Sequence, residues 1–326
     1  MMYEVRSLAK FACALVLLLS SCSKDDVPGP DDGNGISLPA DLEGTLLYDW
    51  VDEGVLAVDV KTGQKSVLIT DDVRGNGFDI SRDRKLRLTS GDIPGNYDAS
   101  LYTLSNIADG GIVSQFTFYP PNGGSKYNHG KLSPDNTRIV IPPTFDEGII
   151  VLDVQGKPDV HIEAINNEPF DHNDAVEWLP GNALLFTHGK YILKASPPYT
   201  QATLVKEMNY ESWGAIHPSQ DGQRLTVRID KHIYVMDIDG GNLTQVTESN
   251  FQENTAVFSP NGKYLLVGTD YRRTGPFGAI WNLKIIPADG RLYNVDPIAP
   301  NSEGVIPVIP VGEDRLEASD GIMLWR

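Results

Sequence analysis

The chain has 326 residues, of which 27 are Lys or Arg and 44 are Asp or Glu, so its formal net charge at pH 7 is −17. Such an acidic surface repels phosphate backbones, which excludes nucleic acid as an expected partner. The two cysteines, Cys13 and Cys22, both precede the predicted folded region. We therefore expect no disulfide there, and core packing must supply the stability.

Residues 1–21 are predicted to be a lipoprotein signal peptide. Arg6 and Lys10 precede an apolar run over residues 11–19, which is too short for a permanent transmembrane helix. The run ends in Leu19-Ser20-Ser21-Cys22, which resembles the lipobox of bacterial lipoproteins, where the cysteine becomes the lipid-bearing first residue. We therefore predict lipidation of Cys22 and attachment to a membrane through acyl chains. The alternative is an ordinary secretory signal.

Residues 22–35 are predicted to be the lipid anchor and a flexible acidic linker. Ser23-Lys24-Asp25-Asp26 resembles the acidic export signal of Bacteroidetes surface lipoproteins, which implies a surface-exposed location on the outer membrane. The alternative is a plain solvated tether. Residues 27–35 (VPGPDDGNG) contain too little apolar surface to fold. The remaining residues, 36–326, are predicted to form one domain.

A sequence motif recurs along the domain, which we call the turn phrase. It consists of an apolar strand, a turn rich in Pro, Asp and Gly, and a second apolar strand. A second phrase of strand, Gly-containing turn and strand follows most copies. The residues before the turns are Ser81, Ser133, Leu179, His217 and Ser259, at steps of 52, 46, 38 and 42 residues. Repeats of this length that contain four short strands predict an all-β fold, a β-propeller of four-stranded antiparallel blades.

The number of blades depends on two weaker copies of the turn, at residues 38–41 and 311–314. Counting them gives seven turns and favours seven blades, with the N-terminal stretch completing the last one. Counting only the full phrases gives six blades. In that case the C-terminal strands would join the first blade.

The turn phrases and residues 237–242 (DIDGGN) resemble the repeats of TolB-like, or WD40-like, propellers over about residues 44–295. The best copies are residues 259–263 and 233–237. The resemblance implies a fold and says almost nothing about activity. TolB itself has an additional N-terminal domain, for which we expect no counterpart here, so its partners are not implied.

Binding is predicted on the face that carries the loops between blades, because these loops are long and varied whereas the opposite turns are tight. Residues near the start of each inner strand should surround the mouth of the central channel. The predicted ligand contacts are Asn76, Tyr127, Asn128, His129, Asp174, Glu211, Trp213, Glu253 and Asn254. The alternative is that the short polar side chains stabilise the turns through local hydrogen bonds.

The sequence requires no cofactor, but a divalent metal could bind to His129 and His172, which precede two consecutive inner strands. The alternative is two solvated or hydrogen-bonded histidines. His217 is predicted to lie in a turn on the opposite face, away from the site.

These features favour a binding module that presents its loop-rich face and axial pocket to a glycan, peptide or protein partner. The alternative is a metal-dependent lyase or hydrolase that acts on acidic oligosaccharides at the channel mouth, which needs a base beside a bound cation. A third hypothesis is a rigid structural component of an envelope complex.

Overall fold

The computed structural model describes residues 38–50, 53–70, 75–121, 129–143, 147–275, 278–298, 300–313, 317–319 and 321–326. The predicted signal peptide, Cys22 and the linker lie outside these residues, as do Tyr127 and Asn128. No helix within the described part of the chain is long and apolar enough to cross a membrane.

The described residues form six antiparallel sheets, which we number as blades one to six, with strands numbered in chain order. Four blades consist of four consecutive strands. Blade two has β4 (Gly77–Ile80), β5 (Leu86–Ile93), β6 (Asn96–Asn106) and β7 (Ile112–Phe118). Blade three has β8 (Lys131–Leu132), β9 (Arg138–Ile141), β10 (Ile149–Asp153) and β11 (Pro158–Ile162). Blade four has β14 (Val176–Leu179), β15 (Ala183–His188), β16 (Tyr191–Ala195) and β17 (Ala202–Glu207). Blade five has β18 (Trp213–Pro218), β19 (Arg224–Ile229), β20 (His232–Asp237) and β21 (Thr244–Gln245).

The other two blades contain strands that are distant in sequence. Blade one has β1 (Thr45–Trp50), β2 (Gly54–Asp59), β3 (Lys65–Ile69) and β29 (Met323–Trp325). Blade six has β23 (Thr255–Phe258), β24 (Tyr264–Arg273), β25 (Ala279–Pro287), β27 (Ile306–Pro307) and β28 (Glu317–Ser319). Two small pairs lie outside the blades: β12 (Ala164–Ile165) with β13 (Glu168–Pro169), and β22 (Thr247–Glu248) with β26 (Tyr293–Asn294).

The prediction of an all-β propeller with four-stranded antiparallel blades is confirmed, and the described residues form six blades, not seven. The C-terminal strand β29 pairs with β1, with Trp325 opposite Leu46, and so forms the innermost strand of blade one. β28 pairs with β25 of blade six, with Ala318 opposite Trp281. The turn at residues 311–314 therefore opens no further blade, because the strands after it complete two existing sheets.

One turn geometry recurs at the end of the inner strands. A residue in the left-handed region lies three positions after Ser81, Ser133, Leu179, Ser219 and Ser259, and these residues are Arg84, Asn136, Asn182, Gly222 and Gly262. In four blades a buried serine begins the turn. Its hydroxyl donates to an Asp or Asn two residues later and accepts the amide five residues later, as in Ser133 with Asp135 at 2.7 Å and Arg138 N at 2.9 Å. We call this end of the ring the corner face.

The corner geometry corrects the fourth reference residue, that of blade five, from His217 to Ser219. The Ser219 hydroxyl accepts the Arg224 amide at 3.0 Å, as its counterparts do in the other blades. Strand β18 has a bulge between Gly214 and His217 in its pairing with β19, and Ala215 has a φ of +50°. The bulge adds a residue to the inner strand, which hid the offset in the sequence pattern. His217 thus lies in a strand and not in a turn.

Apolar side chains from adjacent blades pack against each other and form the core. Between blades one and six, for example, Leu46 and Trp325 pack with Leu266 and Trp281. Chain direction places the loops between blades at the opposite end from the corner face, which we call the loop-rich face. This arrangement leaves alternate positions of each inner strand facing the ring axis.

Candidate functional site

The inner strands of all six blades enclose a cavity of about 440 Å³ on the ring axis. The side-chain positions two residues before the corner reference residues line it in blades two to six. These are Asp79, Lys131, Glu177, His217 and Val257. Four of the five are charged or titratable, so the axis is polar whereas the spaces between blades are apolar.

Hydrogen bonds between axial side chains link blades three, four, five and six. We call the four residues that form them the polar belt: Lys131, Glu177, His217 and Thr255. Glu177 Oε1 lies 2.7 Å from Lys131 Nζ and 3.2 Å from His217 Nδ1. His217 Nε2 lies 3.0 Å from Thr255 Oγ1. Nδ1 donates to the carboxylate, and Nε2 shares a hydrogen bond with the threonine hydroxyl, which can donate or accept. The belt runs from blade three to blade six.

Glu177 is the central charge of the polar belt. Burial alone would raise the pKa of its carboxyl, but the Lys131 ammonium and His217 outweigh burial and lower the pKa of Glu177 to about 2. Lys131 also donates to the Val176 carbonyl at 2.9 Å. Glu177 is therefore ionised at neutral pH, and its charge is paired inside the cavity.

Asp79 lies beside the belt in blade two and is only 6% exposed. Its carboxylate accepts the Leu132 amide at 2.7 Å and the Ile80 amide at 2.8 Å, and Arg326 Nη2 lies 3.5 Å away. Burial raises the pKa of Asp79 above its usual range, and the charge of Arg326 opposes that shift. The carboxylate thus connects blade two to blade three and to the C-terminal strand.

The corner-face end of the cavity is basic. We call Arg82, Gln220 and Arg326 the floor. Arg82 of blade two donates to the Gln220 carbonyl of blade five at 2.9 Å and to the Trp178 carbonyl of blade four at 3.2 Å, so its guanidinium crosses the axis. Arg326 of blade one donates from Nε to the Ile80 carbonyl at 3.0 Å. Burial, and then the nearby Arg326 charge, lower the pKa of Arg82.

His129 and Gly77 line the cavity nearer the loop-rich face. Burial, reinforced by the Lys131 charge, lowers the pKa of His129 to about 4, so its imidazole is neutral at pH 7. A Cβ on Gly77 would collide with the Cβ of His129, so the close approach of β4 and β8 requires glycine at position 77.

Of the predicted contact residues, the structure places Asn76 and His129 in the cavity lining. The Asn76 side-chain amide also donates from Nδ2 to Asp92 Oδ1 at 2.9 Å. Glu211 is exposed in the loop before blade five, and Trp213 is half-buried at the start of β18. Neither belongs to the lining, so the predicted ring at the mouth is brought together only in part.

Three other predicted residues make local bonds. Glu253 is fully buried and lies 2.6 Å from His232 Nδ1. Asp174 accepts the Thr187 hydroxyl at 3.0 Å, and Asn254 Oδ1 accepts the Gln252 amide at 3.3 Å. Asp174 also accepts the backbone amide of Asp171 at 2.9 Å, which agrees with the structural alternative for that residue.

His129 and His172, the predicted metal pair, have different surroundings. His172 is exposed on the turn of residues 171–174, with Nδ1 3.2 Å from Asp171 Oδ1, and it does not line the axial cavity. No cluster of three or more His, Cys, Asp or Glu side chains suited to a metal occurs in the described ranges.

Lys131, Glu177, His217, Arg82 and Arg326 were not predicted as site residues. A usable signal was present, because a charged or titratable residue recurs two positions before the corner residue in blades two to five. It becomes visible only when Ser219 replaces His217 as the reference.

Two solved structures share this fold. One is TolB from Acinetobacter baumannii, with a TM-score of 0.54 and 16% identity over 78% of this chain and 63% of that one. The other is a protein from Agrobacterium tumefaciens described as TolB, with a TM-score of 0.55 and 13% identity over 87% and 98% of the two chains. This chain therefore spans less than two thirds of the Acinetobacter protein. At these identities the likeness confirms the predicted TolB-like β-propeller fold alone. No protein-family model matches the chain, and no curated protein does.

Proposed function

We propose that the protein is a binding module that admits part of a partner molecule through its loop-rich face into the axial cavity. The observation that carries this proposal is the set of charged side chains inside the cavity. Buried ion pairs are weak contributors to stability, and apolar residues of similar volume would often serve the fold as well. Charges on the axis are therefore better explained by recognition than by ring closure.

Exposed apolar side chains on the loop-rich face support a protein partner. Tyr119 and Tyr210, which follow β7 and β17, are 62% and 42% exposed. Ile298 is 82% exposed in a segment whose Asp296 carboxylate accepts the Asn250 amide of the loop after β22 at 3.1 Å. Tyrosine is among the residues that supply most of the binding energy at protein interfaces. A peptide or protein partner is thus favoured over the glycan that the sequence also allows.

Occlusion of the mouth tests the proposal. Asn76 lines the cavity and is half-buried at its loop-rich end, so Asn76→Trp should block entry. Thr203→Trp on the exposed edge strand β17 is the matched control. We expect wild type and the control to bind members of peptide, glycan and envelope-protein panels in a solution assay, and Asn76→Trp to lose at least ten-fold in affinity. Equal binding affinity of wild type, Thr203→Trp and Asn76→Trp would contradict a role for the cavity.

We also propose that the protein is attached to the outer membrane through Cys22 and faces outward, as in Bacteroidetes lipoproteins. The lipobox-like sequence and the acidic residues after it support this. Metabolic labelling with radioactive palmitate should mark wild type but not Cys22→Ala. Protease added to intact cells should remove the protein if it faces outward, and protection until lysis would contradict the surface location.

No contact within the described residues favours the alternative of a metal-dependent lyase, so we propose no catalytic step.

A further inference from the structure

The axial cavity has two unlike walls. Ile322 and Leu324 of blade one and Val257 of blade six line one side, and residues alternate in exposure along residues 322–326, which places Arg326 on the same side. The polar belt lines the other side. A ligand that fits this space needs an apolar part against the first wall and polar groups toward the second.

The floor is positive although the whole chain carries a net charge of −17. Below the mouth, Arg82, Lys131 and Arg326 face Asp79 and Glu177, and Glu177 is paired with Lys131 at 2.7 Å. Arg82 makes two hydrogen bonds to carbonyl groups, which leaves other donors of its guanidinium for a further acceptor.

Gln220 supplies an independent sign that an acceptor belongs at the floor. Its Nε2 is completely buried and has no hydrogen-bond partner, and the residue lines the cavity. An unsatisfied buried donor costs about 1–3 kcal/mol, which an acceptor at the floor would recover once the side-chain amide of Gln220 turns toward the cavity. A planar group with two acceptor oxygens and a negative charge matches an arginine beside an amide donor, which describes a carboxylate.

The depth and closure of the cavity limit what can bring a carboxylate there. Strand β4 has four residues, so mouth and floor are about 13 Å apart at about 3.3 Å per residue, the length of roughly four extended peptide residues. Arg82 crosses the axis, so an internal segment would have to enter and return through one opening. A chain end needs no return path, and a sugar chain would leave hydroxyls unpaired on the apolar wall.

We propose, on the basis of the binding function above, that the cavity receives the C-terminal end of a partner protein. The terminal carboxylate binds Arg82, Arg326 and the Gln220 amide, the last apolar side chain packs on Leu324 and Val257, and Ile322 contacts the peptide nearer the mouth. An N-terminal amine is excluded because it would meet the two guanidinium groups.

The test compares octapeptides of varied sequence as free C-terminal acids and as C-terminal amides, by fluorescence anisotropy. We expect the best acids to bind at least ten-fold more tightly than their amides. Gln220→Glu places a negative charge on the floor without removing a hydrogen bond that Nε2 makes, and should cost the acids at least ten-fold while changing the amides little. Arg138→Gln, which breaks the Arg138–Asp159 pair at 2.9 Å between β9 and β11 of blade three, is the control.

The outcomes separate the two proposals. If acids and amides bind equally and Asn76→Trp blocks both, cavity binding stands and the carboxylate proposal is overturned. The carboxylate proposal is also overturned if no peptide binds and glycans carrying uronic acids bind in a way that Asn76→Trp blocks. It is overturned as well if Gln220→Glu leaves the binding of the peptide acids unchanged. If no peptide or glycan binding responds to Asn76→Trp, both proposals fall.

Discussion

Polar side chains at the corner face and on the axis differ in the location of their hydrogen-bond partners. Ser133 bonds to Asp135 and to the Arg138 amide within a single turn. Two residues earlier, Lys131 bonds to Glu177 of the next blade. The bonds of the corner serines therefore fix each turn separately, with Asn182 of blade four adding a link to Asp135 of blade three at 2.7 Å, whereas the axial residues bond mainly between blades. The first pattern repeats because every blade needs the same turn, whereas the second varies because each residue must match a different neighbour.

The largest expected effect is the loss of one charge from the polar belt. Glu177→Ala leaves the half-buried Lys131 without its carboxylate, and we expect the free energy of unfolding to fall by about 3 kcal/mol, the lower end of the range for a broken buried pair. Denaturant unfolding measures this. The double variant Lys131→Met, Glu177→Leu should recover most of the loss, since no buried charge remains. A single-variant cost below that of a corner serine would contradict the contrast between axis and corner.

The next effect is a pH dependence that arises on the axis. The pKa of His129 is about 4 in the fold, against about 6.5 for an unfolded histidine. Between these values the unfolded chain binds a proton that the fold excludes, so stability falls as the pH falls from about 6.5 to 4, by up to about 3 kcal/mol. Thermal unfolding across this range should show the loss in wild type, and His129→Gln should lack that component. An unchanged pH profile in His129→Gln would show that other groups cause it.

The smallest effect belongs to the corner. Ser133→Ala removes the bonds to Asp135 and the Arg138 amide and should cost about 1 kcal/mol. Ser259→Ala in blade six removes the equivalent bond to the Tyr264 amide at 3.0 Å. Because blades three and six lie on opposite sides of the ring, the two costs should add in the double variant. A clear departure from additivity would mean that corner turns are coupled through the ring.

The same contrast explains what could be predicted from the sequence. Ser81, Ser133 and Ser259 start local turns whose chemistry depends on residues within five positions, so the blade repeat was recognisable. The link between Lys131 and Glu177 joins residues in different repeats, and no local rule specifies it. The bulge in β18 then displaced His217 from its true place in the pattern. Blade number was obscured for a related reason, since β28 and β29 complete sheets that begin far away in the sequence.

The pairing of β29 with β1 has a consequence for synthesis. Blade one is the first blade to leave the ribosome, yet its innermost strand, residues 323–325, is made after all the other blades. Until then the inner edge of β1 has no partner and can pair with another nascent chain. A premature stop before residue 323 should therefore yield aggregation and proteolysis instead of a smaller stable product.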